Sequence, residues 1–328
     1  MQRRGLMGAA AGVLAAGKGQ AQSADPAARW PQRAVRLIVP DSPGTGNDTT
    51  ARLLAPLLEA AMGQPWIVEN RVGAGGRIGV EAAYRATPDG YTFLLGNAGS
   101  NGINAAIYRD LPYDLATAFD PVSLLVVGPN VLFVKPSLLP VTTVAELVET
   151  IRARPGQFSY ASAGVGSSAH MSMELFRHRT GLDIQHVPYR GAAGLVQAVL
   201  AGETPLAFAN LVNVMPQLRS GEVRALAVTS RRRQPDLPEL PTMEESGLPG
   251  FETLAWNALL APRGTPPAIR ERARAELAKL REDAALSSRI RQLGGTLVVS
   301  SPEELQARLQ SDITQWRGLA DAVGIQAQ

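Results

Sequence analysis

The sequence predicts an α/β fold whose sheets are largely parallel, and three observations carry the prediction. Short apolar runs bounded by turn residues recur along the chain. Segments with helical spacing of apolar residues lie between several of these runs, the alternation that builds α/β layers. Loops rich in glycine, serine and asparagine follow three of the runs, at the strand ends where open α/β sheets collect ligands.

The apolar runs fall at 35–39, 66–68, 91–95, 131–134, 158–161, 206–209, 225–228 and 258–261. Helical spacing shows in Leu53, Leu54, Leu57, Leu58 and Ala61, and again at 145–151, 171–180 and 192–201. Pro56 falls inside the first of these helices and predicts a kink, because its nitrogen cannot donate and its ring crowds the preceding turn. The tail changes character, with long helical patterns at 267–280 and 302–323 separated by a short β-like stretch at 296–299. Leu305, Leu309, Ile313, Trp316 and Ala320 form one apolar stripe, which packs on a core in a soluble protein. There is no internal repeat of fixed period.

Composition removes several classes of function. The 328 residues are 45% hydrophobic and 19% charged, too apolar for a disordered chain and long enough for two domains. A formal charge of +3 is a poor footprint for nucleic-acid binding. The absence of cysteine excludes disulfide scaffolds, zinc–thiolate sites, iron–sulfur clusters and thiol catalysis. The charge also has an address. Met1-Gln2-Arg3-Arg4, an apolar run over 5–17 and the small-x-small Gly19-Gln20-Ala21 read as a cleaved export signal over 1–21. Arg3-Arg4-Gly5-Leu6-Met7 suits twin-arginine export, and the apolar run suits the general pathway equally. Without Arg3, Arg4 and Lys18, basic side chains equal the 29 acidic ones, so the chain expected in the periplasm is formally neutral. An anionic ligand would then be attracted locally, at loop amides and helix starts.

Three loops could supply such attraction. The first is Asp41-Ser42-Pro43-Gly44-Thr45-Gly46-Asn47-Asp48, the second Gly96-Asn97-Ala98-Gly99-Ser100-Asn101-Gly102, and the third Ser162-Ala163-Gly164-Val165-Gly166-Ser167-Ser168. Glycine lets backbone N–H groups approach a ligand, and a following helix presents unpaired donors with a partial positive charge. Each loop alone is also an ordinary turn with an N-cap, Asp48 or Ser168. The three together predict a cleft for a small anion, with Ser162, Ser167 and Ser168 as its donors. Asp48 is expected to cap the first helix and to meet an amine or hydroxyl.

Other motifs are weaker. Residues 68–79 resemble a dinucleotide fingerprint, but its third glycine position holds Ile78, and the segment reads as a structural turn. No nucleophile elbow, P-loop or H-E-x-x-H occurs. His170, Glu174 and His178 share one helix face at a metal-compatible spacing without a fourth ligand, so no metal and no cofactor is expected. Arg231-Arg232-Arg233 lacks interleaved aromatics and reads as a solvated turn.

A set of segments, ordered from about Trp30 to Ile325, resembles the Bug family of periplasmic solute-binding proteins, the binding components of tripartite tricarboxylate transporters. Arg36-Leu37-Ile38-Val39-Pro40 with Pro43-Gly44 and Asp48 resembles its first strand and ligand loop. Glu69-Asn70-Arg71 with Gly73-Ala74-Gly75-Gly76 and Ile78-Gly79 resembles its most recognisable signature. Pro88-Asp89-Gly90-Tyr91-Thr92, Phe119-Asp120-Pro121-Val122-Ser123, Tyr160-Ala161-Ser162-Ala163-Gly164 and Val187-Pro188-Tyr189-Arg190-Gly191 continue the series.

The resemblance implies a type II periplasmic-binding fold of two α/β domains joined by a hinge. Domain 1 would comprise 30–128 plus 251–328, and domain 2 residues 129–250. The implied function is capture of a small carboxylate or related metabolite, by a monomer, for a membrane permease or a sensor, with no chemistry, no nucleic acid and no membrane insertion. Ser42, Gly44, Thr45, Gly46, Asp48, Ser100, Ser162, Gly164, Gly166, Ser167, Ser168 and Asn210 are the expected ligand contacts. The alternative is a secreted α/β hydrolase using a loop serine with His170. Two positions depart from the family pattern, Asp41 where an aromatic is usual and Ala209 where an acid often stands before Asn210.

Overall fold

The computed structural model describes residues 29–326; the export signal expected over 1–21 lies outside them. The chain begins with a βαβαβ unit: β1 (Val35–Val39), α1 (Gly46–Met62), β2 (Trp66–Asn70), α2 (Arg77–Tyr84) and β3 (Thr92–Asn97). β1 lies between β2 and β3 and runs parallel to both. After the short α3 (Asn104–Ile107), the 16-residue β4 (Phe119–Val134) leads to α4 (Val144–Arg152). A second βαβαβ unit follows: β5 (Phe158–Ser162), α5 (Ser168–Thr180), β6 (Ile184–Pro188), α6 (Gly191–Ala201) and β7 (Leu206–Asn210). Here β5 lies between β6 and β7, again parallel to both. The sequence shows no repeat, yet the two units share one topology.

The remaining elements are α7 (Leu211–Ser220), β8 (Arg224–Val228), β9 (Leu254–Pro262), α8 (Pro267–Leu280), α9 (Ala284–Gln292), β10 (Thr296–Leu297) and α10 (Pro302–Val323). They correct the expectation of largely parallel sheets. β9 is antiparallel to β3 and to β4, and β4 is antiparallel to β7, β8 and β10, so parallel flanks meet an antiparallel centre. Apolar runs report burial but not strand direction, and β4 and β9 are joined to their partners without a simple βαβ crossover. β4 ties the halves together. Its first part, Phe119 to Pro129, pairs with β9, whereas Asn130 to Val134 pairs with β7 and β8.

Where β4 changes partners, the backbone is held by buried polar groups. Thr229 accepts from Asn130 N–H at 2.9 Å through its hydroxyl, and that hydroxyl donates to the Thr253 carbonyl. The Thr253 hydroxyl in turn shares a 2.7 Å hydrogen bond with Ser172. Four separate chain segments therefore meet at one hydrogen-bonded point, which satisfies groups that would be costly to bury alone.

The apolar stripe of α10 is buried as its spacing predicts. Leu305 and Leu309 pack with Ile38, Leu94, Trp256 and Leu260 on the first half. Trp316, Leu319 and Ala320 pack with Leu132, Tyr160, Phe176 and Phe208 on the second. Between these ends Asp312 accepts from Trp256 Nε1 at 2.6 Å, fixing the helix to β9. α1 runs through Pro56 as one continuous helix, because Leu54, Ala55 and Leu58 bury its apolar face around the missing N–H.

Candidate functional site

Two of the three loops have one local design. Gly44 takes a φ of 82° and Gly166 a φ of 76°, a left-handed conformation that a side chain would strain. Each is followed by an extended hydroxyl residue, Thr45 or Ser167, whose oxygen accepts from the backbone three residues on. Thr45 and Ser167 are therefore the N-caps, which corrects the expected capping roles of Asp48 and Ser168. Beyond each cap, two N–H groups find no acceptor among the described residues: Gly46 and Asn47 at α1, Ser168 and Ala169 at α5. Paired free donors at a helix start, with the helix dipole behind them, suit a carboxylate.

The loops converge. Asn97, opening the second loop, donates through Nδ2 to Asp41 of the first at 2.6 Å. A methyl group placed on Gly99 of the second loop would sit 3.7 Å from the Gly166 carbonyl of the third. The glycine at 99 thus marks where the first half of the molecule meets the second. Around Gly44 and Gly46 such a group would meet nothing within 4 Å, so the donors there border open space.

Asparagines form the supports, and the sequence reading missed most of them. Strand register places Asn97 beside Asn257 in the first half and Asn130 beside Asn210 in the second. Asn257 Nδ2 donates to Asn47 Oδ1 at 2.7 Å, while Ser168 Oγ donates to Asn210 Oδ1 at 3.0 Å. Asn130, fully buried, donates to Ser172 Oγ at 2.9 Å and so anchors α5. An isolated asparagine in an apolar strand is the only signal for Asn130 and Asn257, and the pairing itself needs register.

Several expected contacts lie behind the loops instead of at their surface. The Asp48 carboxylate is buried and fully engaged, accepting from Gly44 N–H, Arg52 Nε and Asn70 Nδ2 at 2.8, 3.0 and 2.9 Å. Burial alone would raise its pKa, but these hydrogen bonds and the Arg52 charge hold it below the usual range. Ser100 is buried in a capping box with Asn97, and its hydroxyl lies 2.7 Å from Asn101 Oδ1. Ser162 is also buried; its hydroxyl accepts from Gly164 N–H at 3.1 Å and meets His186 Nε2 at 2.6 Å. Ser42, Gly44 and Gly46 are exposed, Thr45, Gly164, Ser167, Ser168 and Asn210 are half-buried, and Gly166 is buried against Ile107 of the first half.

Behind the third loop lies a buried polar cluster. The His170 and His186 rings are 4.2 Å apart, and Tyr160 stacks on His186 at 4.9 Å. Tyr160 donates to Glu174, which also takes two hydrogen bonds from Arg177 Nη1. Burial, then the neighbouring His186 charge, pushes the His170 pKa down to about 4. His170 Nδ1 accepts from Gly166 N–H at 3.4 Å, so the neutral ring steadies the loop. Glu174 is thus committed to Tyr160 and Arg177, and His178 on the same face is exposed. Among the described residues no group of three His, Cys, Asp or Glu is placed to hold a metal.

The two departures also find places. Asp41 turns between loops and accepts from Asn47 and Asn97, and Ala209 is buried among Val131, Ala161 and Leu211. The glycines at 73–79 are structural, since a methyl group on Gly79 would lie 2.7 Å from Pro40 Cα. No helix among the described residues is long and apolar enough to cross a membrane.

Two free helix starts on linked loops, carried by two half-sheets joined through one long strand, suit a solute-binding protein. The chain belongs to the tripartite tricarboxylate transporter family receptors, whose profile matches residues 50–325. Protein BugT of Bordetella pertussis is 34% identical over 296 residues, covering 90% of each chain. Among solved structures, Rpa4515 of R. palustris with adipate aligns at a TM-score of 0.83 and 38% identity, over 90% of this chain and 99% of that one. MatC of Rhodopseudomonas palustris with bound malate aligns at 0.80 and 31% identity, over 88% of this chain and 99% of that one. These are receptors and not enzymes, which overturns the hydrolase alternative; the His170 ring accepts from a backbone amide and is not bonded to a loop serine hydroxyl.

Proposed function

We propose that this chain captures a small carboxylate solute between its two half-sheets and delivers it to a membrane permease or a sensor protein. The observation that carries this reading is the pair of matched helix starts, Gly46–Asn47 and Ser168–Ala169, on loops linked through the second loop, which touches both. Preorganised N–H donors replace a carboxylate's water without reorganising, so affinity arises without a basic side chain. The related structures hold adipate and malate, both small carboxylates.

The first lobe comprises 30–128 with 251–328 and the second 129–250. Closure is a hinge motion about Asn130, Thr229 and Thr253, where the chain passes between the lobes. The chain is exported by its signal over 1–21, works in the periplasm and acts as a monomer. Thermal melting with short carboxylates tests the reading. At a hundredfold excess over Kd, a bound acid adds about 2.7 kcal/mol of stability. Ser168→Ala removes the hydroxyl at the second helix start and should weaken that gain; equal stabilisation of the variant would remove that hydroxyl from the site and leave the backbone donors as the binding groups.

A further inference from the structure

We propose that Asp41 makes the site selective for a carboxylate solute that also carries a hydrogen-bond donor, above all an ammonium group, over a dicarboxylate of the same length. The inference rests on the solute-binding reading and narrows its ligand class.

Asp41 follows β1 directly and lies in the loop that carries the free N–H groups of Gly46 and Asn47. One carboxylate oxygen, Oδ2, takes both neighbouring amides, Asn47 Nδ2 at 2.8 Å and Asn97 Nδ2 at 2.6 Å. Two loops thereby fix its position. Those amides are themselves held, Asn47 by the Leu95 carbonyl and by Asn257, and Asn97 by the backbone of Ser100. The other oxygen, Oδ1, receives no donor from any described residue and is not among the buried atoms left unpaired, so in this half-buried residue it is not fully sealed.

No cation among the described residues is paired with it. Arg52 pairs with Asp48 and Asn70, while Arg36 and Arg71 both pair with Glu69. Burial raises the Asp41 pKa, the two amides oppose that rise, and the charge of Asp48 adds to it. When ionised, a fixed carboxylate with one open oxygen and a second carboxylate nearby accepts a donor and repels an anion. An ammonium group placed beside it favours that ionised form against the burial that raises its pKa. The helix starts take the solute's carboxylate, and Asp41 reads what stands beside or beyond it.

The test is calorimetric titration and thermal melting of the full chain at pH 7.5 with matched probes. Suitable pairs are succinate with 4-aminobutanoate, glutarate with 5-aminopentanoate, and adipate with 6-aminohexanoate. The amino member of the best-bound pair should bind ~10- to 100-fold tighter, the span of a hydrogen bond to a charged group. Asp41→Asn keeps an oxygen for the two amides but presents an N–H in place of Oδ1, so it should abolish or reverse the preference. Asp41→Ala, a second variant should the first not fold, should abolish it without reversal. A wild-type preference for the dicarboxylate, or an amino preference unchanged in both variants, overturns this inference and leaves solute binding standing. Stabilisation by no member of either series overturns the small-carboxylate reading itself.

Discussion

Lowering the pH should destabilise this protein through His170, and the size of the effect follows from its surroundings. The ring is 4% exposed and is kept neutral by burial and by His186, with a pKa of about 4 against 6.5 for a free imidazole. Above pH 6.5 the folded and unfolded chains both hold it neutral, so its contribution is fully present. As the pH falls, the unfolded chain takes the proton first and stability is lost until the folded chain is protonated near pH 4. At ~1.4 kcal/mol for each pH unit, the loss is about 2.5 kcal/mol at pH 4.5. Asp41 and Asp312, whose pKa values are raised by burial, act in the opposite sense, so a comparison with a variant is needed. His170→Asn retains an acceptor for Gly166 N–H and removes the titration. Urea denaturation should find the variant about 1 kcal/mol less stable at pH 8, the ordinary cost of an imperfect core replacement. At pH 4.5 it should be the more stable of the two. Parallel loss of stability in both proteins would refute the assignment of a neutral, buried His170.

Two further predictions concern the frame around the cleft. Gly79→Ala places a methyl group 2.7 Å from Pro40 Cα and 2.9 Å from the Arg71 carbonyl, backbone neighbours that yield poorly. It should cost about 1–3 kcal/mol in urea denaturation, and an unchanged midpoint would mean that α2 lies farther from the first loop. Trp256→Phe removes the 2.6 Å hydrogen bond to Asp312 and leaves a buried carboxylate oxygen without that donor. A loss of about 1–3 kcal/mol is expected, and a neutral effect would deny Asp312 its role in seating α10.

Much of the site was legible because it is written locally. Gly44-Thr45-Gly46 and Gly166-Ser167-Ser168 each combine a glycine that can turn left-handed with a hydroxyl residue that caps a helix. The cap was misplaced because Asp48 is itself a good capping residue. In the fold it stands three positions beyond Thr45 and reaches back to Gly44 N–H, much as the acid of a capping box does. Asn130, Asn257 and His186 were not legible, since their roles depend on which strand lies alongside. β6, which carries His186, is an edge strand without a clean apolar alternation. The antiparallel centre was hidden for the same reason: burial patterns in β4 and β9 carry no direction. The departures at Asp41 and Ala209 were visible as residue types, but only tertiary contacts separate an acid aimed between loops from an alanine sealed in a core.

The most direct test of solute capture at the helix starts is release of bound solute from freshly purified protein. The wild-type chain and Gly46→Phe should be denatured and the released small acids weighed by mass spectrometry. Gly46 is the first residue of α1, and its side-chain direction meets nothing within 4 Å, so phenylalanine is accommodated there while covering the free donors. The wild type should release a small carboxylate in near-stoichiometric amount, and the folded variant should release little. Equal release from both proteins, or no release with no carboxylate able to stabilise the wild type, would contradict binding at these helix starts.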